Sequence, residues 1–409
     1  MRAATLRVFL ATILSGCSVL FLVACGGSAP PPCTGCPPPE VKTFLIAVAD
    51  PTLLASQLLS FPVSPTTGAL GAPISTAGPE PPIGDVVVAG QGIPFLYVTQ
   101  GQPLQGITSQ IYGYAIDSQT GALTALSSSP YPAPDAITLS GGTGLNNFLY
   151  VGSDGLLTGG LAPAVEAFSI GGDGSLSPSI AGSPSMVAPF SNELGGPGPW
   201  PVTASPYLYV SEYENGTGGI AAFSIDVDSG VLTPLPASPF SLPISAVPGK
   251  IVYDPLGYIF VILSTTTPNP QNYVAGYALN STTGALTSVP GSPFSVGSIA
   301  GPAIDASGKF LFAGSDQNQT IDEFQVDSAT GTLTPFTGTK VPLFGPFVVS
   351  GNYLYAPSAL PPGSSGDSGA IGAFSIDENT GALAPISGSP FSASAPILIM
   401  TAAVTIAPQ

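Results

Sequence analysis

At 409 residues, 44% hydrophobic and only 7% charged, with 51 glycines and 47 prolines, the chain is too apolar for disorder and too rich in breakers for long helices. Six basic residues stand against 23 acidic ones, and the formal net charge of −17 weighs against nucleic acid and anionic headgroups as partners. There is no histidine, which removes every mechanism that needs an imidazole and leaves a fold of many short strands joined by Gly, Pro, Ser, Thr and Asn turns.

The chain opens with Arg2 and Arg7 around the start of an apolar run, Val8 to Ala24, that ends in Leu22-Val23-Ala24-Cys25. Small residues before a cysteine, directly after such a run, resemble the bacterial lipoprotein signal. The resemblance implies cleavage before Cys25, acylation of that cysteine, and attachment to a membrane through the lipid. Residues 1–24 are therefore read as a signal peptide. Gly26 stands where an inner-membrane retention signal would place Asp, so the expected location is the cell envelope, at the outer membrane (periplasmic or surface face) of a Gram-negative host.

Residues 25–42 form a proline-rich tether, extended by its own composition. Cys33 and Cys36 sit in it as C-x-x-C. A structural zinc needs four ligands, and no His or further free Cys exists to complete the set. A redox motif would open a helix after a strand, whereas prolines flank this one. The expected state is a local disulfide in an oxidising compartment.

From residue 43 to 409 one unit recurs seven times. An aromatic-rich strand begins at Phe44, Phe95, Phe148, Tyr207, Tyr258, Phe310 and Tyr353. A variable loop follows, then a second strand centred on Phe61, Tyr114, Phe168, Phe223, Tyr277, Phe324 or Phe374. Next comes a turn of the form D-x-x-T-G-A-L, as in Asp117-Ser118-Gln119-Thr120-Gly121-Ala122-Leu123, and often G-S-P-F. Successive turn leucines, from Leu70 to Leu383, lie 53, 53, 56, 54, 47 and 50 residues apart. A period near 50 with about four short strands is a propeller blade, so the expectation is an all-β, seven-bladed β-propeller with four-stranded blades. The turn Asp binds turn amides and the Gly supplies a positive φ. The Phe residues of Pro239-Phe240, Pro293-Phe294 and Pro390-Phe391 are expected to leave the outer strand and wedge between blades. Asp254-Pro255-Leu256-Gly257 and Asp305-Ala306-Ser307-Gly308 read as tight turns out of an innermost strand. The first unit lacks an innermost strand, and the apolar segment from Ile397 to Ala407 has no following blade; pairing the two would close the ring through blade one.

The tandem pattern of FLYV, GAFSID, TGAL and GSPF resembles the seven-bladed lactonase-like propeller family, related to the YVTN-type propellers. The resemblance covers about residues 43–408 and rests on blade-building motifs. It implies the propeller fold, and enzymes that open 6-phosphogluconolactone as relatives. No position here matches a catalytic residue of that family. Beyond the signal there is no Arg, and Lys42, Lys250, Lys309 and Lys340 face 23 acidic residues, an unfavourable surface for a phosphosugar. Lys250 and Lys309 are read as turn residues just before strands.

The long variable segments, 99–110, 152–164, 211–219, 263–273 and 356–370, share one face around the channel mouth, and function in repeat folds is grafted on such a face. Asp50, Asp154, Glu212, Glu214 and Asp316 fall there as a candidate ligand or metal site. Oxygen ligands of this kind suit Ca²⁺, although no cofactor is required by any motif. Two readings follow. The chain is expected to be a lipid-anchored, monomeric, non-catalytic binding or interaction module for an envelope protein, a glycan or a small ligand. The alternative is a lactonase-like hydrolase assisted by metal on the loop carboxylates. Convergence of at least three of the five carboxylates would favour the second.

Overall fold

The computed structural model of the chain describes residues 41–49, 56–80, 83–90, 92–100, 109–133, 136–141, 147–153, 164–177, 185–186, 201–214, 216–267, 269–297, 300–315, 320–340, 347–358, 369–393 and 395–406. Cys25, Cys33 and Cys36 lie outside them, as do Asp50, Asp154 and Asp316. The chain divides into residues 1–38 and 39–409, and every described residue belongs to the second unit. All regular structure among the described residues is β, arranged in seven antiparallel sheets.

Each sheet is a blade. Its strands run from an innermost one outward, and the seven innermost strands neighbour one another in a closed ring. In blade order they are Ile397–Ile406, Ile83–Ala89, Ala136–Gly141, Pro201–Ala204, Val247–Asp254, Ala300–Ile304 and Val348–Ser350. The first comes from the far end of the chain. It pairs with Val41–Ala49 from Val41↔Ile406 to Ala49↔Ile397, so the C-terminal strand completes blade one and leaves no open edge at the seam. The propeller begins at Val41, two residues before the boundary read from the repeat.

Antiparallel pairing sends equivalent connections to one end of the ring. The turn end carries the turns leaving the innermost strands and the D-x-x-T-G-A-L turns. The loop end carries the connections between second and third strands and between blades.

At the turn end the repeated residues explain themselves. Asp117 Oδ1 accepts hydrogen bonds from the amides of Gln119 and Thr120 at 3.1 and 2.8 Å and from the Thr120 hydroxyl at 2.7 Å. Asp226, Asp327 and Asp377 repeat the arrangement. These bonds hold all four carboxyls below the usual carboxylate range. The turn glycine does more than adopt a positive φ. Gly284, at φ 70°, lies against the ring of Tyr207, and a Cβ there would stand 2.7 Å from Tyr207 Cδ1. Tyr207 opens the second strand of the preceding blade, so the turn Gly is the seat for the neighbour's first aromatic; Phe44 on Gly121, Phe95 on Gly174 and Tyr258 on Gly331 repeat it. Two positions along, Tyr97, Tyr209 and Tyr355 donate their hydroxyls to the carbonyls of Gly174, Gly284 and Gly68 at 2.7–2.8 Å.

Four blades have an outer edge split into two short strands. In blade 4, Leu232–Pro234 and Phe240–Ser241 both pair with Thr217–Ile225. Between them the amide of Ala222 donates to Ser238 Oγ at 2.9 Å, a bond that stands in for the missing ladder contact. Ser129, Ser292 and Ser389 do the same for Gly113, Gly276 and Ala373. The Phe residues after these serines therefore rejoin the outer edge instead of leaving it: Phe240 pairs with Ile220, Phe294 with Val274 and Phe391 with Ile371. Each also packs into an apolar cluster shared with the next blade.

Among the described residues there are seven such clusters, and each spans one pair of adjacent blades. The hydrophobic drive of roughly 25 cal/mol per Å² is thus realised between blades. The axis is left to the side chains of the innermost strands.

Candidate functional site at the channel mouth

The innermost strands are mostly apolar, and five carry a β-bulge near the loop end. In blade 2, Ile83 pairs with Gln100 and Val86 with Val98, so Gly84 and Asp85 together face Thr99. In blade 5, Pro248 pairs with Leu263 and Ile251 with Val261, so Gly249 and Lys250 face Ile262. Blades 3, 6 and 1 have Ile137, Gly301 and Leu398 as the extra residue. A bulge re-aims a side chain relative to the pleat, and here it does so at one level of the ring.

Asp85 is buried. Its amide donates to Thr99 Oγ1 at 2.7 Å, its Oδ1 accepts from the Val86 amide at 2.8 Å, and its Oδ2 accepts from the Leu139 amide of the next innermost strand at 2.9 Å. Burial pushes the carboxyl up from its ordinary value, against the lowering effect of the Lys250 charge and of the two amides. Asp85 belongs to blade 2 and Lys250 to blade 5, with other blades between them in both directions round the ring. Lys250 therefore acts on Asp85 across the axis. Lys250 is half-buried inside its strand, contrary to its reading as a turn residue; the Pro248-Gly249 pair that suggested a turn is instead the bulge. Its Cδ lies 3.5 Å from where a Cβ on Gly301 would stand, so the lysine stem runs alongside the innermost strand of blade 6.

Other polar groups gather at the same level. Thr138 is fully buried beside the blade 3 bulge, whereas the Ser140 and Thr203 hydroxyls, which meet at 3.0 Å between blades 3 and 4, lie nearer the turn end. Thr99, Gln100, Ser153, Ser211, Glu212 and Ser358, at the loop ends of second strands, are all buried. Gln100 Nε2 donates to the Glu80 carbonyl at 3.1 Å and Ser153 Oγ to the Ala164 carbonyl at 3.3 Å.

Of the five carboxylates expected to share a loop face, two are described. Glu212 and Glu214 are corrected from loop to strand: both lie in Tyr207–Glu214, whose hairpin is closed with Gly216 at φ 81°. Glu212 pairs with Gly219 and is buried, its Oε1 2.9 Å from where a Cβ on Gly219 would stand. Among the described residues no three His, Cys, Asp or Glu side chains come together as a metal site. Asp85 went unnoticed in the sequence and Lys250 was given only a turn role, yet each follows a glycine within an otherwise apolar stretch, Gly84-Asp85 and Gly249-Lys250, and that pairing was the available signal.

Two further carboxylates are buried at the opposite, turn end. Asp305 is satisfied by the amides of Phe310 and Ser307 at 2.7 and 3.0 Å and by the Ser307 hydroxyl. Asp254 is 0% exposed; Oδ1 accepts from the Leu256 amide at 2.8 Å and Oδ2 has no hydrogen-bond partner. Burial first, with Asp305 adding to it and the Leu256 amide opposing, pushes Asp254 up to about 6.

No family model and no curated protein matches the sequence. Solved structures do. A putative 6-phosphogluconolactonase from Bacteroides uniformis superposes with a TM-score of 0.67 at 16% identity, over 89% of this chain and 99% of that one. The chain has the lactonase-like seven-bladed propeller fold. The periplasmic gluconolactonase PpgL of Pseudomonas aeruginosa gives a TM-score of 0.66 at 14% identity over 90% of this propeller chain and 100% of its own. A hypothetical selenium-binding protein from Sulfolobus tokodaii gives 0.59 at 11% identity, over 90% and 94%. At these identities the likeness is one of fold, and propellers of this fold carry more than one kind of description.

Proposed function

We propose that the loop-end mouth of the channel is a small-molecule site and that its chemistry is the hydrolysis of an unphosphorylated lactone. The observation that carries this reading is the pair of bulges that present Lys250 and Asp85 to one channel from opposite blades. In lactone hydrolysis water adds to the carbonyl carbon, the ring C–O bond breaks, and the ring oxygen leaves as a hydroxyl. Negative charge develops on the carbonyl oxygen, and an ammonium in a partly desolvated channel stabilises it. The fold shared with proteins described as lactonases, over nearly the whole of each chain, supports the same choice. With a formal charge of −17 the molecule disfavours a phosphorylated ring, which points to neutral sugar-type lactones. A metal-assisted version would draw on Asp50, Asp154 and Asp316, outside the described residues. Export on a lipid-anchored, proline-rich tether places the site in the envelope, facing solutes that reach that compartment.

A second reading, a binding module without turnover, is favoured by one observation: both Asp85 oxygens already accept backbone amides, which suits an anchor better than a proton carrier. The deciding assay follows glucono-1,5-lactone hydrolysis by the tether-free propeller, above the spontaneous rate, with Ca²⁺ and with chelator. Turnover supports the hydrolase and its Ca²⁺ dependence selects the metal-assisted form; saturable binding with no turnover selects the binding module.

A further inference from the structure

We infer that Lys250 is the carboxylate anchor of the channel and that the ligand it selects is a polyhydroxy monocarboxylate. The inference rests on the lactone reading, because ring opening converts a neutral ligand into this kind of anion. Four observations lead to it. The chain beyond residue 24 has only four cations; Lys42 lies in the second strand of blade one and is bonded to Gln119, Lys309 is exposed at a turn, and Lys250 alone among the described lysines lies in an innermost strand. Its stem runs alongside Gly301 of the neighbouring innermost strand. Both it and Asp85 stand at loop-end bulges of innermost strands in the same closed ring, and its charge is felt at Asp85. Asp85 itself is tied to two blades through Val86 and Leu139 and holds its place without the lysine.

One cation facing a buried, amide-bound carboxyl is a selective arrangement. A carboxylate pairs with Lys250, and hydroxyl groups along the same ligand donate toward Asp85 and the polar ring at the mouth. A second anionic group on the ligand finds no second cation among the described residues of the innermost strands, so a phosphorylated acid is disfavoured. A neutral polyol keeps the hydroxyl contacts and loses the anchor. Lys250 is thus a specificity-determining residue, and Asp85 a positioning one.

The test is calorimetric titration of the tether-free propeller with sodium gluconate, 6-phosphogluconate and neutral glucitol, on wild type, K250M and K250R, each variant first checked for a wild-type thermal transition. Gluconate is expected to bind wild type more tightly than either other probe, with affinity falling as salt rises. K250M should weaken gluconate at least about tenfold, as loss of a charged hydrogen bond does, and leave glucitol unchanged. K250R should retain most of the affinity; if K250M fails the thermal check, K250R and K250Q carry the comparison. Equal gluconate affinity in wild type and the uncharged variant would overturn the assignment, as would a wild type that does not bind gluconate. The two proposals separate cleanly. Lysine-dependent gluconate binding without lactone turnover retires the hydrolase and keeps the anchor, and lactone turnover with gluconate affinity equal in wild type and K250M retires the anchor and keeps the hydrolase.

Discussion

The two ends of the propeller are built on different rules. At the turn end, equivalent positions reuse the same devices: an Asp that binds its own turn in four blades, a Gly that seats the neighbour's aromatic ring in six, a Tyr that reaches the next turn's carbonyl in three. At the loop end, the bulge position holds Asp85, Ile137, Lys250, Gly301 or Leu398, no two alike. Residues that repeat are those the ring needs in order to contact itself. Residues that change at one level of a symmetric frame are free of that duty, and the two with opposite charge face the same channel.

The comparison can be broken most severely at the seam. Deleting residues 397–409 removes the innermost strand of blade one and uncovers the edge of Val41–Ala49; scanning calorimetry should show loss of the cooperative transition, and a truncated chain that melts like the parent would contradict the closure. Gly284→Ala attacks one blade interface. The new Cβ meets Leu235 Cδ1 and Tyr207 Cδ1 at 2.6 and 2.7 Å with φ at 70°, and a loss of about 2–4 kcal/mol in denaturant unfolding is expected, with ligand binding at the far end intact.

Asp254 gives a smaller, pH-dependent effect. Its folded value of about 6 lies above the ordinary 3.8, so the unfolded state ionises first and stability contributed by this group is lost as pH rises from about 4 to 6. D254N should flatten that slope and raise the melting temperature at pH 7 by roughly 2–4 °C; a slope unchanged by the substitution would show that the carboxyl finds a partner. The smallest contrast pairs two tyrosines. Tyr209→Phe removes a hydroxyl bonded to the Gly284 carbonyl at 2.7 Å and should cost about 1 kcal/mol, whereas Tyr150→Phe, whose hydroxyl is buried without a partner, should cost nothing or stabilise slightly.

These differences also explain what could be read in advance. The blade count, the turn aspartates and the closure by the segment from Ile397 were legible because repetition and the missing first strand both leave marks in sequence. The seat beneath Gly121 or Gly284 was not, since the glycine is explained locally by its φ and the ring it supports belongs to another blade. Lys250 was misread because Pro248-Gly249 looks the same in a turn and in a bulge. Asp85 lies between two repeat motifs and carries none. Glu212 and Glu214 were assigned to a loop because their hairpin continues the strands well past the repeat, an extension no residue in the motif announces.

The pairing of Val41–Ala49 with Ile397–Ile406 has a consequence for how the protein is made. A chain threaded outward from its first residues delivers one half of this seam early and the other only after all the blades have passed. Until the segment around Met400 emerges, the strand that begins the propeller has an unoccupied side of buried, apolar residues from Phe44 to Ala49, able to pair with another nascent copy. Maturation is therefore a race between ring completion and self-association, and a chaperone that shields this one strand would protect the whole assembly line.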